Sequence, residues 1–312
     1  MSRQRLPILA SALGLGAGAI WSIGTITARK ADGADAFQYL IWRSIGIIVV
    51  VEIVGMLQHK PSQLVRAYTS GRMMLLANVA LLTASLGFVY AVKTTTAANA
   101  AFLGSTTPVF GVLAARLFLH ERFNKVTIAS ICLAFVGLFV TVAGDLEAGN
   151  MVGNLAALSA AIGFAGYAVC VRSDPDEDWS PVLPGYGVLM IAICGIVTLA
   201  NGKTLVPPAP DTGYAILHGA VIIVVGTVMF NVASRSVPAA AMTVFAQTEM
   251  VLVPVWSVTF LGERPPVTTW IGGAIILTAI LGKAIIDATT TDTLPAAGTE
   301  PLLQIRPDDP VL

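Results

Sequence analysis

Ten stretches of apolar residues follow one another along this chain with only short polar breaks between them, and each has about the twenty residues a helix needs to cross the hydrocarbon core of a bilayer. They fall at 6–28, 36–56, 73–92, 97–119, 126–144, 151–171, 181–200, 214–233, 238–260 and 267–286. The runs are continuous and rich in Leu, Ala, Gly and Ile rather than alternating, which excludes a β-barrel and leaves helices as the spanning structure. The predicted fold class is all-α, a polytopic membrane protein with ten transmembrane helices. Composition agrees, because 55% hydrophobic against 12% charged residues leaves too little polar surface for a water-soluble globule. Arg3 and Arg5 precede the first run as they would in a secretory leader, but that run is too long and a second span follows at once, so it reads as a retained helix. Residues 287–312, rich in Thr, Pro, Ala and Asp, read as a disordered cytoplasmic tail.

The chain also matches itself. Phe118-Leu119-His120-Glu121-Arg122 recurs as Phe260-Leu261-Gly262-Glu263-Arg264, an offset of 142 residues. The same offset pairs Phe88 with Phe230, Ala91 with Ala233, Lys93 with Arg235, and Leu13, Ala19 and Ile20 with Leu155, Ala161 and Ile162. Such a repeat marks duplicated architecture. Each copy holds five spans, residues 1–144 and 151–286, and an odd number of crossings makes the second copy enter from the opposite face. Inverted five-helix repeats are a plan of secondary transporters, which bind solute near the midplane between the copies.

Charge distribution sets an orientation. With ten spans, one side receives Arg3, Arg5, Lys60, Arg66, Arg72, Arg122, Lys125, Arg172, Arg235 and Arg306, and the other Arg29, Lys30, Lys93, Lys203 and Arg264. Ten against five places both termini in the cytoplasm. The formal net charge of zero gives no reason to expect nucleic acid as a partner. Cys132, Cys170 and Cys194 lie singly in apolar spans and read as small core residues, without a metal or a disulfide framework.

Trp21, Arg43, Pro108, Val253-Pro254-Val255-Trp256 and the two Phe-Leu-x-Glu-Arg segments resemble the EamA family of the drug/metabolite transporter superfamily, over about residues 6–286. The resemblance implies a ten-helix inner-membrane carrier for amino acids, other metabolites or drugs, often outward. Two positions depart from it: His120 stands where the family commonly has Gly, and Ser22 follows Trp21 where Gly is frequent.

Among candidate functional residues, Glu249 lies midway along its span, where a carboxylate costs about 2.5–3.5 kcal/mol on insertion scales, so it should face the bundle interior to bind a cationic group or exchange a proton. Gluing helices together is the structural alternative. Helical spacing puts Met242, Ala246, Val253 and Trp256 near its face, and turns Gln247 elsewhere. Arg43 is placed to hold a substrate carboxylate, to pair with Glu249, or to snorkel to water. Glu52, Arg116 and His218 lie nearer span ends, where snorkelling or a local ion pair is expected. Tyr90, Asn99, Tyr167, Asn231 and Gln247 would line a cavity or glue helices, and Trp21 would be a stacking wall or an interfacial anchor. Pro108 and Pro254 lie within spans as kinks or hinges, and Glu121-Arg122 and Glu263-Arg264 read as gates or helix caps. Gly14-x-x-x-Gly18, Gly272 and Gly273 permit close helix approach.

The expected function is secondary transport of a small metabolite, with no cofactor, with membrane lipid and possible coupling protons as partners, in a monomer or homodimer. The rivals are a membrane-embedded enzyme, for which no H-E-x-x-H, G-x-S-x-G or close carboxylate or histidine cluster appears, and a receptor, for which no loop is long enough to form a domain; the lack of a P-loop argues against ATP coupling within this chain.

Overall fold

A computed structural model describes residues 5–94, 103–120, 125–142, 151–262 and 267–290, all organised by helices and the turns between them. The first half comprises α1 (Arg5–Lys30), α2 (Ala36–Leu57), α3 (Gln63–Thr69), α4 (Arg72–Thr94), α5 (Thr107–Leu119) and α6 (Lys125–Val142). The second comprises α7 (Met151–Ser173), α8 (Val182–Ala200), α9 (Ala209–Leu217), a π-helical segment at His218–Ile223, α10 (Val224–Ser234), α11 (Ala239–Ala246), α12 (Thr248–Leu261) and α13 (Val267–Thr290). Eight helical stretches among the described residues are long and apolar enough to cross a membrane, and Thr107–Leu119 and Lys125–Thr141 are shorter apolar helices. Their outer faces carry bare hydrophobics such as Ile53, Leu117, Phe118 and Ile196, which are half or more exposed, as lipid-facing side chains should be.

Local chemistry explains the ends. Asp35 caps α2, its Oδ1 accepting from the backbone N–H of Phe37 and of Gln38 at 2.9 Å, while Gln38 Oε1 accepts from the Asp35 N–H at 3.2 Å. This reciprocal capping box stabilises the helix by about 1 kcal/mol. At the other end of α2, Glu52 accepts from the Leu64 N–H at 2.5 Å and from Ser62 Oγ at 3.3 Å, so it anchors α3 rather than joining an ion pair. Both Phe-Leu segments end in the left-handed region, at His120 (φ 52°) and Gly262 (φ 67°), which accounts for a glycine preference there.

The helices pair in a scheme that is its own image under the 142-residue offset, which carries α1 onto α7, α2 onto α8, α4 onto α9 and α10, α5 onto α12 and α6 onto α13. Helix α1 packs against α10 and α12, while α7 packs against α4 and α5; α2 meets α8, and α6 meets α13. Close crossings need the missing side chain of glycine. A Cβ at Gly272 of α13 would clash with Thr141 Oγ1 and the Gly137 carbonyl of α6, and one at Gly219 would strike the Arg43 carbonyl of α2. Gly18 likewise lies against Ala246 O, at 3.0 Å from its would-be Cβ, whereas Gly273 faces open space and takes no part in close approach.

Several boundaries differ from the sequence reading. The span expected at 214–233 begins at Ala209 and passes through the π segment, and the last helix runs four residues past 286. Helix α3, seven residues long, occupies the break expected between the spans ending at 56 and beginning at 73, and is too short to register as a span. Cys170 and Cys194 are buried, but Cys132 faces outward. Residues 291–312 of the expected tail lie outside the described residues.

Candidate functional site

Arg43 lies on α2 about 10 Å below the end capped by Asp35, at 1.5 Å of rise per residue. It is 3% exposed, which rules out snorkelling, and it forms no ion pair with Glu249. Its Nη2 donates to Ser85 Oγ of α4, and its buried Nε has no partner among the described residues. Beside it, His218 of the π segment is 7% exposed and bonds through Nδ1 to the Tyr39 hydroxyl at 2.7 Å, which in turn meets Thr27 Oγ1 at 3.1 Å. His218 is therefore an interior group, not a residue at the membrane surface. The π turn delivers its ring against Gly24, where a Cβ would lie 2.5 Å from Nε2. Arg116 is exposed on α5.

Three of the candidates come together in an aromatic cluster. Trp21 of α1 stands 5.6 Å from Phe164 of α7 and 5.7 Å from Phe230 of α10, and Phe230 stacks on Tyr167 with centroids 5.8 Å apart. The buried Tyr167 hydroxyl donates to Asn231 Oδ1, leaving Asn231 Nδ2 buried without a partner. Trp21 is thus an interior wall rather than an interfacial anchor. A crevice of about 40 Å³ reaches Asn231 from the loop at Glu177–Ser180 and from Arg235. Tyr90 stands apart, against Phe37 at 5.8 Å.

The fourth span of the second half is interrupted. At Gln247 the backbone bonds skip back three residues, Gln247 N–H to Val244 O and Met250 N–H to Gln247 O, both at 3.0 Å. The offset-equivalent position in the first half, Ser105, lies in the turn that precedes α5. Pro108 consequently sits in the first turn of α5, where a missing N–H costs nothing, and is not an internal kink; Pro254 is inside α12. Ser105, Pro108 and Gln247 line one cavity of about 10 Å³ with Phe135 and Ile276, room for about one water. Gln247, expected to line a cavity or glue helices and to turn away from the face of Glu249, lines this one, and Ser105 Oγ and Thr248 Oγ1 are buried without hydrogen-bond partners among the described residues.

The same break moves Glu249 from mid-helix to the first turn of α12, where the half-helix dipole favours a negative charge. It is half-buried, has no hydrogen bond or ion pair among the described residues, and shares a face with Trp256, whose Nε1 donates to Ser22 Oγ at 2.7 Å. Asn99, Glu121, Arg122, Glu263 and Arg264 lie outside the described residues.

Sequence reasoning missed the ionic groups that close the two ends of the bundle. At one end, Lys203 Nζ of the α8–α9 loop meets Asp35 Oδ2 at 2.9 Å, Gln38 Nε2 donates to Thr204 O at 2.6 Å, and Trp42 Nε1 donates to Leu205 O at 3.0 Å. At the opposite end of α2, Asp178 Oδ2 of the α7–α8 loop takes Lys60 Nζ and Arg66 Nη1, each at 3.0 Å, while Arg66 Nη2 lies 3.5 Å from Glu177 Oε1. Burial raises the Asp178 carboxyl, but hydrogen bonds from Arg66, Ser180 and Lys60 outweigh it and hold the group well below its ordinary range. Burial likewise raises Asp35, and bonds from the Gln38 N–H, Lys203 and the Phe37 N–H outweigh it and lower the group. Under the offset, Asp35 corresponds to Glu177. The only available signal was this shared acid after the first helix of each copy.

Among the described residues no group of His, Cys, Asp or Glu could hold a metal ion. The profile of the EamA-like transporter family matches the chain twice, at residues 8–143 and 151–283. A solved crystal structure of a protein is similar in fold, with a TM-score of 0.75 at 16% identity over 90% of this chain and 98% of that one. No curated protein matches the chain.

Proposed function

We propose, from the premise that this chain belongs to the EamA-like transporter family, that it exports a small metabolite, an amino acid or related solute or a drug-like compound, across the bacterial cytoplasmic membrane by alternating access. Family membership makes it a polytopic membrane transporter. The remainder of the reading is supported by one observation: offset-equivalent acids, Asp35 and Glu177, lie at opposite ends of α2, each within an ionic closure, as two inverted copies of one five-helix plan would place them. Opening one closure while the other holds gives each face of the membrane access in turn. The cavity at the helix breaks, with space for about one water, fits a carrier closed at both ends.

Orientation follows the positive-inside count, which puts the Lys60–Arg66–Asp178 end and both termini in the cytoplasm. Solute then enters by the crevice below Asp178 and Arg235, meets Asn231, Tyr167 and Trp21, and leaves beneath Asp35 and Lys203. Glu249, without a hydrogen bond or ion pair among the described residues and at the start of a half-helix, is the group to which this reading gives exchange of a coupling proton.

Two offset-equivalent positions test the cycle. With the native cysteines replaced, single cysteines at Leu86 and at Val228, which lines the crevice, should be labelled by a membrane-impermeant maleimide from opposite faces of oriented liposomes. Labelling of both from one face overturns the inverted plan. Glu249→Gln, shown to be inserted, should remove the effect of an imposed pH gradient on uptake of a metabolite mixture; an unchanged response removes proton exchange from Glu249.

A further inference from the structure

Arg43 is a cation held inside a membrane-spanning helix with a neutral hydroxyl as its hydrogen-bond partner. Helices α4 and α8 and the π segment bring it polar groups without negative charge. Helix α4 gives Ser85, which accepts from Nη2. Helix α8 brings Tyr186 and Cys194 within electrostatic reach, and the π segment brings His218, already engaged with Tyr39. The acids of the described spans are committed or placed elsewhere: Glu52 anchors the α3 backbone at the far end of α2, Asp211 Oδ2 faces Gly33 in the α1–α2 loop, and Glu249 lies on α12, which shares no extensive interface with α2. The stretch 95–102, which precedes α5, contains no Asp or Glu. A buried guanidinium with a bare Nε–H beside an occupied Nη2 has its planar donor edge half satisfied, and that edge is shaped for the two oxygens of a carboxylate.

We propose that Arg43, steadied by Ser85, is the point at which the carboxylate of a transported monoanionic or zwitterionic solute docks, about 10 Å beneath the Asp35–Lys203 closure. This rests on the transport reading above and adds the charge class of its solute. One guanidinium balances one carboxylate; a phosphate dianion would leave excess negative charge in the same dry site, with no second cation beside it among the described residues. A docked carboxylate would supply the charge balance that the surrounding helices do not.

The test uses the full chain in liposomes loaded with a mixture of free amino acids and their carboxamides, with export followed by mass spectrometry. Carboxylate members should be moved at least about tenfold better than their amides. Arg43→Gln should bring that ratio close to one, and Arg43→Lys, which keeps the charge but not the fork, should retain several-fold preference. Arg43→Gln should also melt no lower than wild type without solute, because it removes an unbalanced buried charge; a role in holding the fold alone would lower its melting temperature and leave the ratio intact. Amides moved as well as acids, a ratio unchanged in Arg43→Gln, or movement of none of these solutes overturns the proposal. If Arg43→Gln fails to insert, an acid-to-amide ratio in Arg43→Lys equal to that of wild type does so. Opposite-face labelling of Leu86 and Val228 positions is unaffected by any of these results, so the transport cycle and its solute class fail separately.

Discussion

The two ends of this bundle are closed by equivalent loops with unequal chemistry. At the Asp178 end one carboxylate is shared by a lysine and an arginine whose guanidinium also reaches Glu177, and the partners are about one-quarter to two-fifths exposed. At the Asp35 end a single lysine, 55% exposed, faces a carboxylate whose other oxygen is committed to capping α2. A partly buried network exceeds the sum of isolated surface pairs, whereas an exposed lysine pair contributes about 0–1 kcal/mol. The difference teaches that a duplicated fold can keep its geometry and still be biased, because in a carrier that opens its ends in turn the side chains of two loops would decide which end yields first. The closed balance should favour opening at the Asp35 end.

The largest disturbance of this comparison is Asp178→Asn, which removes the shared acceptor. It should favour opening at that end by about 1–2 kcal/mol, read as roughly tenfold faster labelling of a cysteine at Val228. Equal labelling would mean that the network does not hold the end. Acid attacks the same group. Its carboxyl is held low in the folded protein, so its stabilisation is complete above the unfolded value near 3.8 and is lost as pH falls from there through the folded value. Wild-type melting temperature in detergent should therefore fall below about pH 4, more steeply than that of Asp178→Asn.

Asp35 separates its two tasks by substitution. Asp35→Ala should lose about 1 kcal/mol of stability with the helix cap, while Asp35→Asn keeps a capping oxygen and loses only the ion pair. Equal melting of the two variants would show that the cap contributes nothing. The smallest effect belongs to Lys203→Ala, worth about 0.5 kcal/mol and vanishing in high salt; a larger effect that survives salt would make the two ends alike.

Hydropathy made the spans legible because each side chain's affinity for lipid acts independently of its lateral neighbours. It could not reveal lateral partners. Lys203 and Asp35 are 168 positions apart, and nothing in either loop specifies the other. The repeat carries more information than either loop alone, since the constant offset relates Asp35 to Glu177 and the helix pairs of one half to those of the other, a correspondence that became visible only with the packing in hand. Within spans, composition failed where the backbone departs from the α-helix. The interruption at Gln247 is made by local hydrogen bonding in an Ala-rich and Thr-containing stretch, and it moved Glu249 from mid-helix to a helix start. The π segment did the same for His218, drawing an apparent end residue into the interior. Arg43 was recognised, but its isolation from Glu249 depends on helix neighbours that no periodicity encodes.

The equivalence of Asp35 and Glu177 bears on ancestry. A single half-length protein with an acid at that position and a base in the loop after its second helix would, pairing with an upside-down copy of itself, close both mouths with the same bond. Such a pair would have no resting side, and nothing in it would distinguish import from export. A single chain leaves the two loops free to differ, and the arginine and aspartate found at one mouth alone are the kind of difference that would give such a carrier a preferred face.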